Sequence, residues 1–398
     1  MQNPISIFMC GDVMTGRGID QILPHPVDPH IYEWFVTDAR SYVDLAEKVN
    51  GPIPRQVSCD YFWGDALGFF RRLRPDVKLI NLETSVTTSE EFWPGKGINY
   101  RMHPLNFPAI TTAGIDVCAL ANNHVMDWGY QGLEETLRTL EKSGVRCAGA
   151  GHDLSSAAEP ATVAVSGKGR VHVFSLGDAS SGIPSEWGAG NELAGVNLLP
   201  DLSDRTAERL REQVRQVKQE GDVVVASIHW GSNWGFEVPR EQIEFAHRLI
   251  DSAGVDVIHG HSSHHVKGVE VYRGKLIIYG CGDFLTDYEG IRGKEAYRGD
   301  LGFMYFAYLD GETGALKELR LIPTKVRKFQ VVRARGADWR WLRDTMNREG
   351  KMLGTGVEEA EDRVLLLRWA EPVNRKRKSL SRGGGGKCEG PPWAALVG

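Results

Sequence analysis

Asn123 and His124, inside the run LANNHVMD from Leu120 to Asp127, set a neutral metal ligand beside a proton donor. An amide oxygen can bind a divalent ion, and an imidazole just outside the ion's shell can pass a proton to a leaving group. The plainer use of the same residues is a turn, with Asn122 and Asn123 shaping the chain and capping the next helix. Other apolar runs end in the same way. Asp12 follows Ile5 to Met9, Glu83 follows the run from Val77, and His229 follows Val223 to Ile228. His259, His261, His264 and His265 follow Val255 to Ile258, and Asp283 follows Leu276 to Tyr279. Each has a structural use alone: Asp12 as a turn cap, Glu83 as a strand end, His229 as a hydrogen-bonded core histidine. Together they form the carboxylate, amide and imidazole set of one or two borderline divalent ions such as Mn, Zn or Fe.

Bringing these ends to one edge requires an α/β sheet, because ligands of such sheets gather beyond the carboxyl ends of the strands. The apolar runs supply the strands, and helical spacing appears between them at Leu133, Leu137 and Leu140, at Leu210, Val214 and Val217, and at Ile243, Ala246, Leu249 and Ile250. Gly144, Gly221 and Gly254 follow as stop signals. Residues 24–63, rich in Pro and aromatics, are too long for an ordinary connection and read as an inserted lid. From Leu301 the alternation in FMYFAYLD and LKELRLIPTKVRKFQVV predicts antiparallel strands around a GETG turn. The expected organisation is a main domain over 1–330, a β-rich C-terminal extension with a helix over 331–371, and a disordered basic and Gly-rich tail over 372–398.

A formal charge of -5 on 398 residues, with 25% charged, argues against nucleic acid or an acidic membrane surface as a general partner. The basic RKRK in the tail could be a nuclear signal, but a solvated tail is the simpler reading. No signal peptide is evident at MQNPISIFMCGD, and no apolar run approaches the roughly 20 residues needed to span a bilayer, so a soluble, cytoplasmic chain is expected. The six cysteines show no CxxC spacing. GKGR at Gly167 to Arg170 lacks P-loop spacing, so nucleotide use is not indicated.

The ordered set GDVMTGR (Gly11 to Arg17), NLETSVT (Asn81 to Thr87), LANNHVMDWG (Leu120 to Gly129), GAG (Gly149 to Gly151), IHWG (Ile228 to Gly231), GHSSH (Gly260 to His264) and VYRGKLIIYGCGDF (Val271 to Phe284) resembles the CapA family of poly-γ-glutamate capsule biosynthesis, within the calcineurin-like metallophosphoesterase superfamily. The resemblance covers roughly residues 5 to 285. It implies a layered αββα sandwich with a metal centre at the strand ends. It further implies Asp12, Glu83, Asn123, His229 and His261 as metal ligands, His264 as a further one, and His124 as proton donor to the leaving group. The implied chemistry is a metal-held hydroxide attacking phosphorus or a carbonyl. Met14 stands where classical phosphoesterases place a histidine, Glu83 is one methylene longer than the usual bridging Asp, and His261 and His264 are one residue wider apart than usual. One full and one weak metal site is the resulting expectation.

Arg17, Lys96 and Arg101 are candidates to bind a carboxylate or phosphate, against the alternative that they are solvated surface charges. Trp128, Trp230 and Trp234 could wall the pocket or pack the core. The functional expectation is a hydrolase acting on a phosphoester or a γ-glutamyl-type small molecule or polymer. The alternative is a non-catalytic metal-binding partner of the poly-γ-glutamate synthesis proteins. A cysteine hydrolase using Cys281 is the weaker third reading, since no helix N-terminus is signalled to acidify that thiol.

Overall fold

Alternation along the strand Ile5–Val13 sends Ile5, Ile7 and Met9 to one face and Phe8 and Cys10 to the other, and all five are buried. A strand buried on both faces must lie in the middle of a sheet covered on both sides. In the computed structural model, which describes residues 4–370, this strand is central in a 10-stranded mixed sheet. Val77–Leu82, Val117–Ala119 and Arg146–Ala148 continue the sheet in parallel on one side. The antiparallel strands Leu301–Leu309 and Leu316–Arg327 continue it on the other. A second, 6-stranded sheet runs in the order Val269–Tyr272, Lys275–Ile278, Val257–His261, Val223–His229, Gly169–Gly177 and Ala161–Val165.

The two sheets pack face to face through Ile5, Ile7, Met9, Val77 and Leu79 against Val171, Val173, Val223, Val225 and Val257. The outer face of the first sheet, with Phe8, Ile80 and Leu120, is covered by Leu133, Leu137 and Leu140 of the helix Gly129–Ser143 and by Phe69 and Phe70 of Ala66–Leu73. The outer face of the second, with Val224, Ala226 and Ile228, receives Leu210 and Val214 of Asp204–Val217 and Phe245 and Leu249 of Arg240–Asp251. The architecture is an α/β sandwich with helices outside two central sheets.

Residues 24–63 contain the helix Arg40–Asn50, which buries Tyr42, Val43 and Ala46. Their last part lies in the core, where Phe62 and Trp63 are buried and the Trp63 indole donates to the Ala109 carbonyl at 2.7 Å. Beyond residue 330, the strands Thr355–Glu359 and Leu365–Trp369 join the first sheet beside Leu316–Arg327 and carry the helix Gly336–Gly350. The expected tail, 372–398, lies outside the described residues. Among the described residues, no helix is long and apolar enough to cross a membrane.

Candidate metal centre

Strand register brings the polar residues together. Asp12 pairs with Asn81 on one neighbour and with Asp283, at the start of the short parallel strand Asp283–Leu285, on the other. In the second sheet His229 pairs with His261. The two sheets meet here, with His261 Nδ1 3.9 Å from Asp12 Oδ1. The Asp12 carboxylate accepts from the Asn81 amide at 2.7 Å and from the Ser262 N–H at 3.3 Å. Ser262 holds a φ of 96°, a costly conformation for a residue with a side chain and one of the kind that concentrates at functional sites.

Two groups of potential ligands share Asp12: one with His229 and His261, the other with His264 and Asp283, and within each the ligand atoms lie within 4.8 Å of one another. All five residues are buried. The Nδ1 atoms of His229 and His261 face each other at 2.8 Å, and Asn123 Oδ1 lies 3.1 Å from His229 Nε2. Glu83 Oε1 is 3.9 Å from His229 Nε2. His264 Nδ1 contacts Asp283 Oδ1 at 2.9 Å, while Asp283 Oδ2 is buried with no hydrogen-bond partner among the described residues. A buried, orphaned carboxylate oxygen among converging imidazoles fits a cation.

The electrostatics agree with that fit. Burial, and then the neighbouring Asp283, push the Asp12 carboxyl up to about 7. Burial, Asp12 and Asp283 push Glu83 well above the usual carboxylate range. Burial holds His229 and His261 well below the usual imidazole value, which keeps their nitrogen lone pairs available. Burial alone would lower His264 too, but Asp283 raises it. The carboxyls therefore favour protons or a metal, whichever neutralises them.

His124 stands beside this group, with Nε2 3.9 Å from Glu83 Oε1 and Nδ1 2.6 Å from Asp127 Oδ2. Asn122 shapes the loop: its amide donates to Asn81 Oδ1 and the Leu82 carbonyl, and its Oδ1 accepts from the His124 N–H at 3.0 Å. Ser85 Oγ donates to the His124 and Val125 carbonyls, each at 3.0 Å. The imidazole stacks on Tyr100 at 3.9 Å between centroids. Lys96 pairs with Asp127 Oδ1 at 2.8 Å and lies 3.2 Å from His124 Nδ1.

The other candidates lie differently. The buried Arg17 is paired with Asp287 at 2.5 Å and with Glu33 at 2.8 Å. Arg101 donates to the Ser89 and Asp28 carbonyls and covers the Trp128 ring at 3.8 Å. Trp128 and Trp230 are buried, and Trp234 lines a cavity that His264 also lines. Cys281 is buried and its thiol pushed well above the usual range by that burial, the opposite of an activated nucleophile. Asp283, which the sequence places at a strand end but the family resemblance does not name as a ligand, joins the second group, and Asp127, which closes the loop that begins at Leu120, has no role legible in the sequence.

This geometry can be set beside known proteins. The family description "Bacterial capsule synthesis protein PGA_cap" matches residues 6–288, which hold every residue of both ligand groups. The chain belongs to this capsule synthesis family. A family relative in Mycobacterium tuberculosis, named "Probable polyglutamine synthesis accessory protein", is 46% identical over 362 residues, 91% of this chain and 95% of that protein. The "PGA biosynthesis protein CapA" of Bacillus subtilis is 27% identical over 292 residues, 73% of this chain and 66% of its own length. The "Capsule biosynthesis protein CapA" of Bacillus anthracis is likewise 27% identical, across 73% of this chain and 62% of that protein.

Proposed function

We propose that this member of the capsule synthesis family is a cytoplasmic metal-dependent hydrolase of a phosphoester or a γ-glutamyl-type linkage. The observation that carries the reading is the pair of buried ligand groups sharing Asp12, with His124 held beside them. The ligands would be Asp12, His229 and His261 at one position and Asp12, His264 and Asp283 at the other, with Asn123 and Glu83 next to His229. The nitrogen and carboxylate donors suit Mn, Zn or Fe. Such an ion supplies Lewis acidity and an activated water.

The protein's own residues do the rest. Asp127 takes the His124 Nδ1 proton in a hydrogen bond and leaves Nε2 on the side of Glu83 as the proton-delivering nitrogen. Burial lowers the His124 pKa to about 4, so the imidazolium, once formed, releases its proton more readily than a free one. An anionic substrate beside Nε2 favours that protonated form. Lys96 holds Asp127, and Arg17, paired with Asp287 and Glu33, lies in the wall of the adjoining cavity.

The test uses the full chain loaded in turn with Mn, Zn or Fe and offered a phosphomonoester, a phosphodiester and γ-linked glutamate oligomers. Hydrolysis that falls by about 10²–10⁴-fold in His124→Ala with metal content retained is the expected result. Stoichiometric metal without turnover of any substrate would sink it. That outcome favours the second reading, a non-catalytic metal-binding partner of poly-γ-glutamate synthesis, to which the accessory name of the mycobacterial relative lends support.

A further inference from the structure

A cavity of about 720 Å³ opens beside the metal centre and has His264, Tyr100, Tyr288 and Arg17 at its inner end. These residues are tied to the centre. Tyr100 stacks on His124, Tyr288 packs edge-on against His264 at 5.3 Å, and the two phenols share a 2.6 Å hydrogen bond. The guanidinium of Arg17 lies 4.7 Å from the Tyr100 ring centroid. Further out the surface is predominantly apolar, with Phe35, Leu45, Val49, Ile98, Trp234 and Ile291 on its walls. The volume falls inside the range of about 300–1,000 Å³ usual for small-molecule sites.

A charge laid against the aliphatic and aromatic part of the wall would lose its hydration without gaining a partner there. Apolar chain gains by entering. Phe35 is 52% exposed, Val49 63% and Ile291 49%, so the rim presents apolar surface that an occupant would cover. Trp34, 89% exposed and packed edge-on against Phe35, extends that surface outward. Of the charged residues around the cavity, Arg298 and Lys325 pair with Asp300, and Glu289 and Glu295 accept backbone N–H groups, whereas Arg292 and Lys294, beside Ile291, are in no ion pair among the described residues. Positive charge, apolar walls and a metal-ligand cluster at the inner end together match an anionic group at the end of an apolar chain.

We propose that this cavity binds a single-chain anionic amphiphile, with its phosphate or carboxylate at the His264 end and its hydrocarbon along Phe35, Leu45, Val49 and Ile98. The orientation of the head group rests on the metal-centre reading above. The apolar occupancy does not. The residues 24–63, which contribute Phe35, Leu45 and Val49, then act as the wall that selects the chain.

Calorimetry of the metal-loaded full chain with a series from ethyl to dodecyl phosphate, all below their micelle concentrations, tests this. Affinity is expected to rise about tenfold for every two methylenes until the cavity is full and then to level off. Phe35→Glu and Val49→Glu, at exposed positions where folding is not at stake, should each remove most of that chain-length gain. Affinity independent of chain length, or a gain unaltered by both variants, would overturn the assignment. Binding that occurs only when the probe is embedded in vesicles would also overturn it, because the cavity is assigned to a single dissolved molecule. Hydrolysis without a chain-length gain leaves the hydrolase and removes the amphiphile, whereas a chain-length gain without hydrolysis does the reverse.

Discussion

The Nδ1 atom of His124 lies 2.6 Å from Oδ2 of Asp127, three residues further along the same loop, and Tyr100 N–H donates to that same carboxylate oxygen at 2.6 Å. Because Asp127 is fixed by backbone and by Lys96, it fixes the imidazole in turn. A positioned acid of this kind contributes about 10²–10⁴-fold to rate. His124→Ala should therefore lower kcat by roughly that factor. Asp127→Asn should lower it by a comparable order, since an amide can donate to Nδ1 and select the wrong tautomer. Elemental analysis should show metal content unchanged in both, which separates loss of the acid from loss of the centre.

Asp12 is shared by both ligand groups, whereas His229 and Asp283 each serve one. Asp12→Ala should strip metal from both positions, and His229→Ala and Asp283→Ala should each weaken one. Ions per chain, measured after dialysis against a weak chelator, check the ordering. Equal retention in Asp12→Ala and the unaltered protein would remove the shared-ligand geometry from consideration.

Much of this arrangement was legible because strand ends announce themselves. Runs such as Val223 to Ile228 are buried on both faces, so the first polar residue after each is displayed at a sheet edge. Asp283 was harder to place, because its role depends on a three-residue strand pairing in parallel with the bulged end of Ile5–Val13, and register of that kind leaves no periodic trace. Arg17 shows the opposite limit. Its place beside Asp12 in sequence gives no sign that Asp287, 270 residues away, and Glu33 engage its guanidinium. Asp127 is local to the loop, yet only the fold of that loop reveals that its side chain turns back to His124.

Gly11 precedes Asp12 where the strand passes against the turn at Gly282. A Cβ on Gly11 would sit 1.6 Å from the Gly282 carbonyl oxygen, and the Asp12 N–H donates to that same oxygen at 3.1 Å. Gly11→Ala cannot be accommodated without moving one backbone away from the other, and with it the Asp12 and Asp283 carboxylates. A stability loss of about 1–3 kcal/mol is expected from overpacking, accompanied by reduced metal content. Urea unfolding and elemental analysis on the same sample measure both. Native stability with native metal content would show that this close approach is not required.

Asp222 offers a stability test far from the centre. Its carboxylate receives Arg170 N–H at 3.0 Å, the Arg170 guanidinium at 2.7 Å and Gln219 N–H at 2.8 Å, and lies 3.1 Å from His172 Nε2. Burial would raise its pKa, but the Arg170, Gln219 and His172 hydrogen bonds bring it down to about 2. An unfolded Asp titrates near ~3.9. Because the folded value is the lower one, the contribution is fully present above about pH 4 and fades as the pH falls toward 2. Asp222→Asn should cost about 1–3 kcal/mol at neutral pH, since it replaces a charged acceptor of several donors. The gap between variant and unaltered protein in urea midpoints should narrow below about pH 4. A gap that widens with acid would reverse the sign of the linkage and remove this carboxylate from the bonds that anchor the Val223–His229 strand.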